Sequence, residues 1–166
     1  MLENTELKDE QILNCLRDEY GLRVEEISFL PLGADVDSSV YRVLTGDGTN
    51  YFVKLRKGDL FNAASVAIPN FLSDLGMKQI IPSLRTRTGQ PWTNLNSFKL
   101  VLYPYVEGQP GLDRKMSKQQ WFEFGAALKQ FHTADFPIDL TSSIQRDDFS
   151  PRWRDTVKMF LARLEN

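Results

Sequence analysis

Between Asp9 and Tyr20 the apolar residues Ile12, Leu13, Leu16 and Tyr20 recur at three- and four-residue spacing, and Gly21 follows where a left-handed cap would sit, so the pattern predicts a helix. The period then changes. Val24–Leu32, Ser39–Leu44 and Asn50–Leu55 are rich in β-branched and aromatic residues, and Gly46-Asp47-Gly48 supplies a hairpin turn between the last two. They read as an antiparallel meander. Helical spacing returns from about Phe61 to Leu75 and ends at Gly76, with Pro69 requiring either a kink or a later start that places it in the first turn. Two further strands are expected at Ser83–Arg87 and Ser97–Tyr103, separated by the turn Thr88-Gly89-Gln90-Pro91 and a short extended piece near Trp92.

After Tyr103 the character shifts. Pro104–Arg114 is rich in Gly and Pro and holds no period, as a linker would. Beyond it Trp121, Phe124, Ala127, Leu128 and Phe131 recur at helical spacing, with Ser117 and Gln120 placed as a capping box. Trp153, Val157, Phe160, Leu161 and Leu164 repeat the pattern over Arg152–Leu164. The expected architecture is α+β: a five-stranded antiparallel sheet with one helix after its third strand, then the first helices of an incomplete helical unit. The divisions fall at residues 1–103, 104–114 and 115–166.

Composition narrows the class. With 42% hydrophobic and 25% charged residues over 166 positions, the chain resembles a folded soluble protein rather than a disordered one. Twenty Lys+Arg against 22 Asp+Glu leave a net charge of −2, which gives no pull toward nucleic acid or an anionic membrane. No apolar run approaches the ~20 residues of a membrane span. The single cysteine, Cys15, lies on the apolar face of the first helix and reads as a buried, inert thiol in a reducing, cytoplasmic setting.

Candidate chemistry centres on Lys54 in Tyr51-Phe52-Val53-Lys54-Leu55, where alternation places it on the face of Phe52, toward the interior or a cleft. An ammonium there requires an anionic partner, which the phosphates of a nucleotide would supply; an edge-strand lysine snorkelling to water is the plain alternative. The turn Gly33-Ala34-Asp35-Val36-Asp37-Ser38-Ser39 could offer main-chain N–H groups and hydroxyls to phosphate oxygens, with Gly33, Asp37, Ser38 and Ser39 as candidates, or be an ordinary hairpin loop. In Leu102-Tyr103-Pro104-Tyr105-Val106-Glu107-Gly108 a strand runs into the linker. There the Pro104 carbonyl can accept from an adenine amine and the Val106 N–H can donate to a ring nitrogen, with Tyr103 at the back and Tyr105 between them.

These segments, in the order Gly33, Val40-Tyr41-Arg42-Val43, Tyr51-Phe52-Val53-Lys54, Leu102–Gly108 and Phe124-Gly125-Ala126-Ala127-Leu128-Lys129-Gln130-Phe131-His132, resemble the aminoglycoside phosphotransferase family. The likeness is strongest to its spectinomycin-phosphorylating branch, and runs from about Leu22 onward. It implies a protein-kinase-like fold, Lys54 on the α/β-phosphates of ATP or GTP, Ser38 and Ser39 in the phosphate-covering loop, Pro104–Val106 as the base-reading hinge, and magnesium. The implied partners are a nucleotide and an aminoglycoside or aminocyclitol, and Arg152 and Trp153 fall where the acceptor pocket begins. A surface helix start explains those two equally well.

Two departures stand out. No Glu occurs between Glu26 and Glu107 to pair with Lys54, and Asp59 and Asp74 do not hold the expected position. The family's catalytic loop and metal-binding aspartate are expected beyond Asn166, so neither a catalytic residue nor a metal ligand is assigned here, and the 166 residues alone are expected to be inactive. His132 and Asp135, as His-x-x-Asp, close a helix rather than forming that loop. A non-catalytic module binding a nucleotide or a partner chain, or a related choline or sugar kinase, are the competing readings, and the exposed later helices are expected to permit homo-association.

Overall fold

The computed structural model describes residues 7–31, 37–109, 114–142, 144 and 153–164. Helix α1, Asp9–Tyr20, is closed by Gly21 at φ 73°, whose N–H donates to the Arg17 carbonyl while the Leu22 N–H donates to that of Leu16. A left-handed cap of this kind favours glycine because a Cβ would crowd the backbone. The strands are β1 Val24–Leu30, β2 Ser38–Thr45, β3 Asn50–Lys57, β4 Thr93–Leu95 and β5 Phe98–Pro104, in the spatial order β1-β2-β3-β5-β4 and all antiparallel.

Strand alternation sorts the residues cleanly. Tyr41 and Val43 of β2, Val53 and Leu55 of β3, and Leu100 and Leu102 of β5 face Ile12, Cys15 and Leu16 of α1 and form the buried core. The intervening positions, Val40, Arg42, Phe52, Lys54, Val101 and Tyr103, line the opposite face.

Helix α2, Ala64–Asp74, covers one end of that second face: Phe61, Ser65 and Val66 gather there with Lys54, Arg56, Val101 and Tyr103 around a small void of about 70 Å³. Helix α2 begins five residues before Pro69, so Pro69 is internal and not in the first turn. The start is set by Asn62, whose Oδ1 accepts the Ala64 N–H at 2.9 Å and whose carbonyl accepts the Ser65 hydroxyl at 2.6 Å.

The expected strand at Ser83–Arg87 does not form. Its N–H groups go to scattered partners: Ser83 to Asn70 Oδ1, Leu84 to the Leu102 carbonyl, Thr86 to that of Gln90 and Arg87 to that of Glu19. With no common neighbour strand there is no ladder. The fourth strand is instead the short β4, directly after Trp92.

Helix α3, Lys118–His132, opens with the expected capping box, Ser117 Oγ accepting the Gln120 N–H at 3.2 Å and Gln120 Oε1 accepting the Ser117 N–H at 2.8 Å. A short helix α4, Ile138–Thr141, and helix α5, Arg154–Leu164, follow. The Phe136 ring, between α3 and α4, lies tilted against Phe71 of α2 at 5.6 Å and edge-on to Phe131 at 6.0 Å between centroids. No helix among the described residues is long and apolar enough to cross a membrane.

Candidate functional site

The open end of the second sheet face is a cleft of about 760 Å³ lined by Leu30, Phe52, Lys54, Ile81, Tyr103, Pro104, Tyr105, Val106, Gly108 and Gln109. A volume of that order suits a small ligand, and its lining is apolar with few polar groups, as such sites usually are. Lys54 enters it because β3 alternates: Val53 and Leu55 are fully buried on the core side, which turns Lys54 to the cleft beside Phe52.

The same parity fixes the main chain beyond β5. Tyr105 N–H donates to the Asn50 carbonyl at 3.3 Å, continuing the pairing with β3. Antiparallel strands turn alternate residues toward and away from a given neighbour, so residues 102, 104 and 106 point away from β3. The outward Leu102 carbonyl is taken by the Leu84 N–H at 2.7 Å. The next outward groups are the Pro104 carbonyl and the Val106 N–H, and the latter makes no hydrogen bond among the described residues. One acceptor and one donor thus stand side by side at the mouth of an apolar cleft. Behind them Tyr103 is half-buried, its phenol pKa raised by burial, and its ring meets Phe52 edge-on at 6.4 Å.

Ser38 pairs across from Arg56 and shares the cleft-side parity of Lys54. Ser39 is buried and alternates onto the face of Tyr41 and Val43, so its hydroxyl is not on the cleft side. Asp37 precedes β2, and its carbonyl accepts the Lys57 N–H at 3.4 Å. Gly33 and Arg152 lie outside the described residues. Trp153, at the start of α5, is exposed and is not among the cleft-lining residues.

On the helix side, Ser65 and Val66 of α2 are the residues that reach the neighbourhood of Lys54, and no ion pair of Lys54 is found among the described residues. None of the described residues that line the cleft is a carboxylate, and no group of His, Cys, Asp or Glu able to hold a metal occurs among the described residues. Magnesium therefore has no fitting ligand set among the described residues. His132 closes α3 with its ring against Phe131 at 5.5 Å.

Leu30 and Ile81 were not singled out by the sequence: they are ordinary apolar residues remote from the hinge in the chain, and only the fold brings them to the cleft.

No protein-family model and no curated protein sequence matches the chain. Solved structures do. A spectinomycin phosphotransferase crystallised with ADP and spectinomycin superposes with a TM-score of 0.83 at 26% identity, over 98% of this chain and 49% of that one. The same enzyme bound to AMP gives 0.78 at 25% identity, over 95% and 47%. This chain has the fold of the aminoglycoside phosphotransferases. It spans about half the length of the structures it matches.

An aminoglycoside phosphotransferase from Alicyclobacillus acidocaldarius shares that phosphotransferase fold at a TM-score of 0.60 and 20% identity, over 96% of this chain and 45% of that one. An amicoumacin kinase does so at 0.61 and 14% identity, over 86% and 45%. The five-stranded sheet with its helices corresponds to the first lobe of the kinase-like fold, and α3 to α5 to the beginning of the helical lobe.

Proposed function

We propose that this chain is the nucleotide-binding part of an ATP-dependent phosphotransferase acting on a hydroxyl of an aminocyclitol or aminoglycoside antibiotic. The observation that carries the reading is a single cleft lined by both Lys54 and the outward main-chain edge of Pro104 and Val106. In that arrangement Pro104 and Val106 hold the base edge, Tyr103 and Phe52 enclose the ring, and the Lys54 ammonium meets the phosphates, with Ser38 nearby at the phosphate end. A bound ATP supplies the transferable phosphoryl group. Relatives of the fold crystallised with ADP, AMP and spectinomycin support the nucleotide and the acceptor class. On this reading residues 1–103 are the nucleotide lobe, 104–114 the linker and 115–166 the first helices of the second lobe.

Lys54 and the hinge can hold a nucleotide, whereas transfer also needs a carboxylate base and metal ligands, which are not found among the described residues that line the cleft. A second reading is that these residues bind nucleotide without turning it over. The test is a titration with ADP and ATP, with and without magnesium. Saturable binding competed by AMP supports the nucleotide site; no binding of either nucleotide at millimolar concentration rejects it.

A further inference from the structure

Arg42 of β2 is not among the cleft-lining residues, yet it contacts the linker at two points and the β2–β3 hairpin at a third. Its Nε donates to Asn50 Oδ1 at 2.9 Å, its guanidinium carbon lies 4.9 Å from the centroid of the Tyr105 ring, and its Nη2 stands 3.8 Å from Glu107 Oε1. Asn50 in turn accepts the Tyr105 N–H through its carbonyl. One planar cation therefore ties the start of β3 to residues 105 and 107, which flank Val106.

The three contacts differ in weight. Glu107 is mostly exposed, so its ion pair contributes little. The ring contact and the directed Nε bond fix orientation, and a guanidinium, unlike an ammonium, offers a planar face and a side-on donor together.

We propose that Arg42 is a positioning residue for base selection, holding the linker so that the Pro104 carbonyl and the Val106 N–H meet adenine and not guanine. Adenine presents a donor amine where guanine presents an acceptor oxygen, so a fixed order of acceptor and donor distinguishes them and a slack linker does not. The inference rests on the nucleotide reading above and deepens it by naming what sets the base preference.

The experiment measures dissociation constants of ADP, GDP and inorganic tripolyphosphate for the wild-type protein, Arg42→Ala and Arg42→Lys. Arg42→Ala should weaken ADP by about five- to tenfold, lower the ADP-over-GDP preference by a similar factor and leave tripolyphosphate unchanged; Arg42→Lys should recover only part of the loss. If Arg42→Ala fails to fold, Tyr105→Leu, which removes the ring beneath the guanidinium, is read by the same ratios. Unchanged ADP affinity, or a parallel loss of ADP and tripolyphosphate, overturns the proposal. A wild-type protein that binds tripolyphosphate but shows no added affinity for ADP rejects base reading by the linker altogether, and one that binds none of the three probes removes the nucleotide site itself.

Discussion

Asn70 and Ser83 form a two-way buried pair: the Ser83 N–H donates to Asn70 Oδ1 at 2.7 Å, and Asn70 Nδ2 donates to Ser83 Oγ at 2.9 Å. The pair fastens α2 to the extended segment that leads past the cleft residue Ile81. Asn70→Leu keeps the volume but leaves the Ser83 N–H without its acceptor, and a buried orphan donor costs about 1–3 kcal/mol. Chemical denaturation should show a loss in that range. A change below about 0.5 kcal/mol would mean that Ser83 finds another partner.

Lys54→Ala should weaken ADP by about tenfold, the lower end for a charge-assisted hydrogen bond because the side chain is only partly buried. The loss should shrink as salt is raised, since screening already weakens the wild-type contact. Calorimetry at two ionic strengths measures both, and an unchanged affinity removes Lys54 from the phosphate end.

Cys15 has its thiol pKa raised from 9.0 to about 11, first by burial and then by Glu19 and Asp18. Folding therefore favours the protonated form. The stability this group contributes is intact below pH 9.0 and is lost as the pH rises through about 11. Alkylation at pH 8 should be slow in the native protein and fast in urea. Tyr20 acts in the same direction, its phenol raised chiefly by burial, so urea midpoints measured from pH 8 upward should fall at the alkaline end.

The 166 residues by themselves should transfer no phosphate to spectinomycin or any aminoglycoside above the uncatalysed rate. A radiolabelled-ATP assay with magnesium and an antibiotic panel tests this. Turnover abolished by Asp135→Asn would place a working base next to His132 and overturn the expectation.

Helix α3 leaves Trp121 58% and Phe124 50% exposed, and Phe160 and Leu161 of α5 are also uncovered. A helix with such a stripe seeks a surface to bury it. The chain should self-associate as its concentration rises and bind an apolar dye, and Phe124→Glu should reduce both. Sedimentation showing only monomer at high concentration would count against it.

How much of this was legible in the chain follows from how local each signal is. Helix α1 ends where Gly21 places it, and the β2–β3 hairpin turns at Gly46-Asp47-Gly48, where Asp47 Oδ1 accepts both the Thr45 hydroxyl at 2.6 Å and the Thr49 N–H at 3.0 Å. Those contacts lie within a few residues of one another. Ser83–Arg87 has the composition of a strand, but its hydrogen-bond partners Asn70, Leu102 and Glu19 are far away in sequence and share no strand. Three residues of β4 are too few to show a period. The placement of Lys54 followed from alternation, but the roles of Arg42, Leu30 and Ile81 depend on neighbours that only the sheet order brings together.

In protein kinases the strand lysine is held by a glutamate on the adjoining helix, and moving that helix makes or breaks the pair, which is how such enzymes are switched. Here the helix presents Ser65, whose hydroxyl is already engaged with the Asn62 carbonyl. Among the described residues, then, the phosphate end of the cleft carries no ion pair between β3 and α2 that a movement of the helix could make or break.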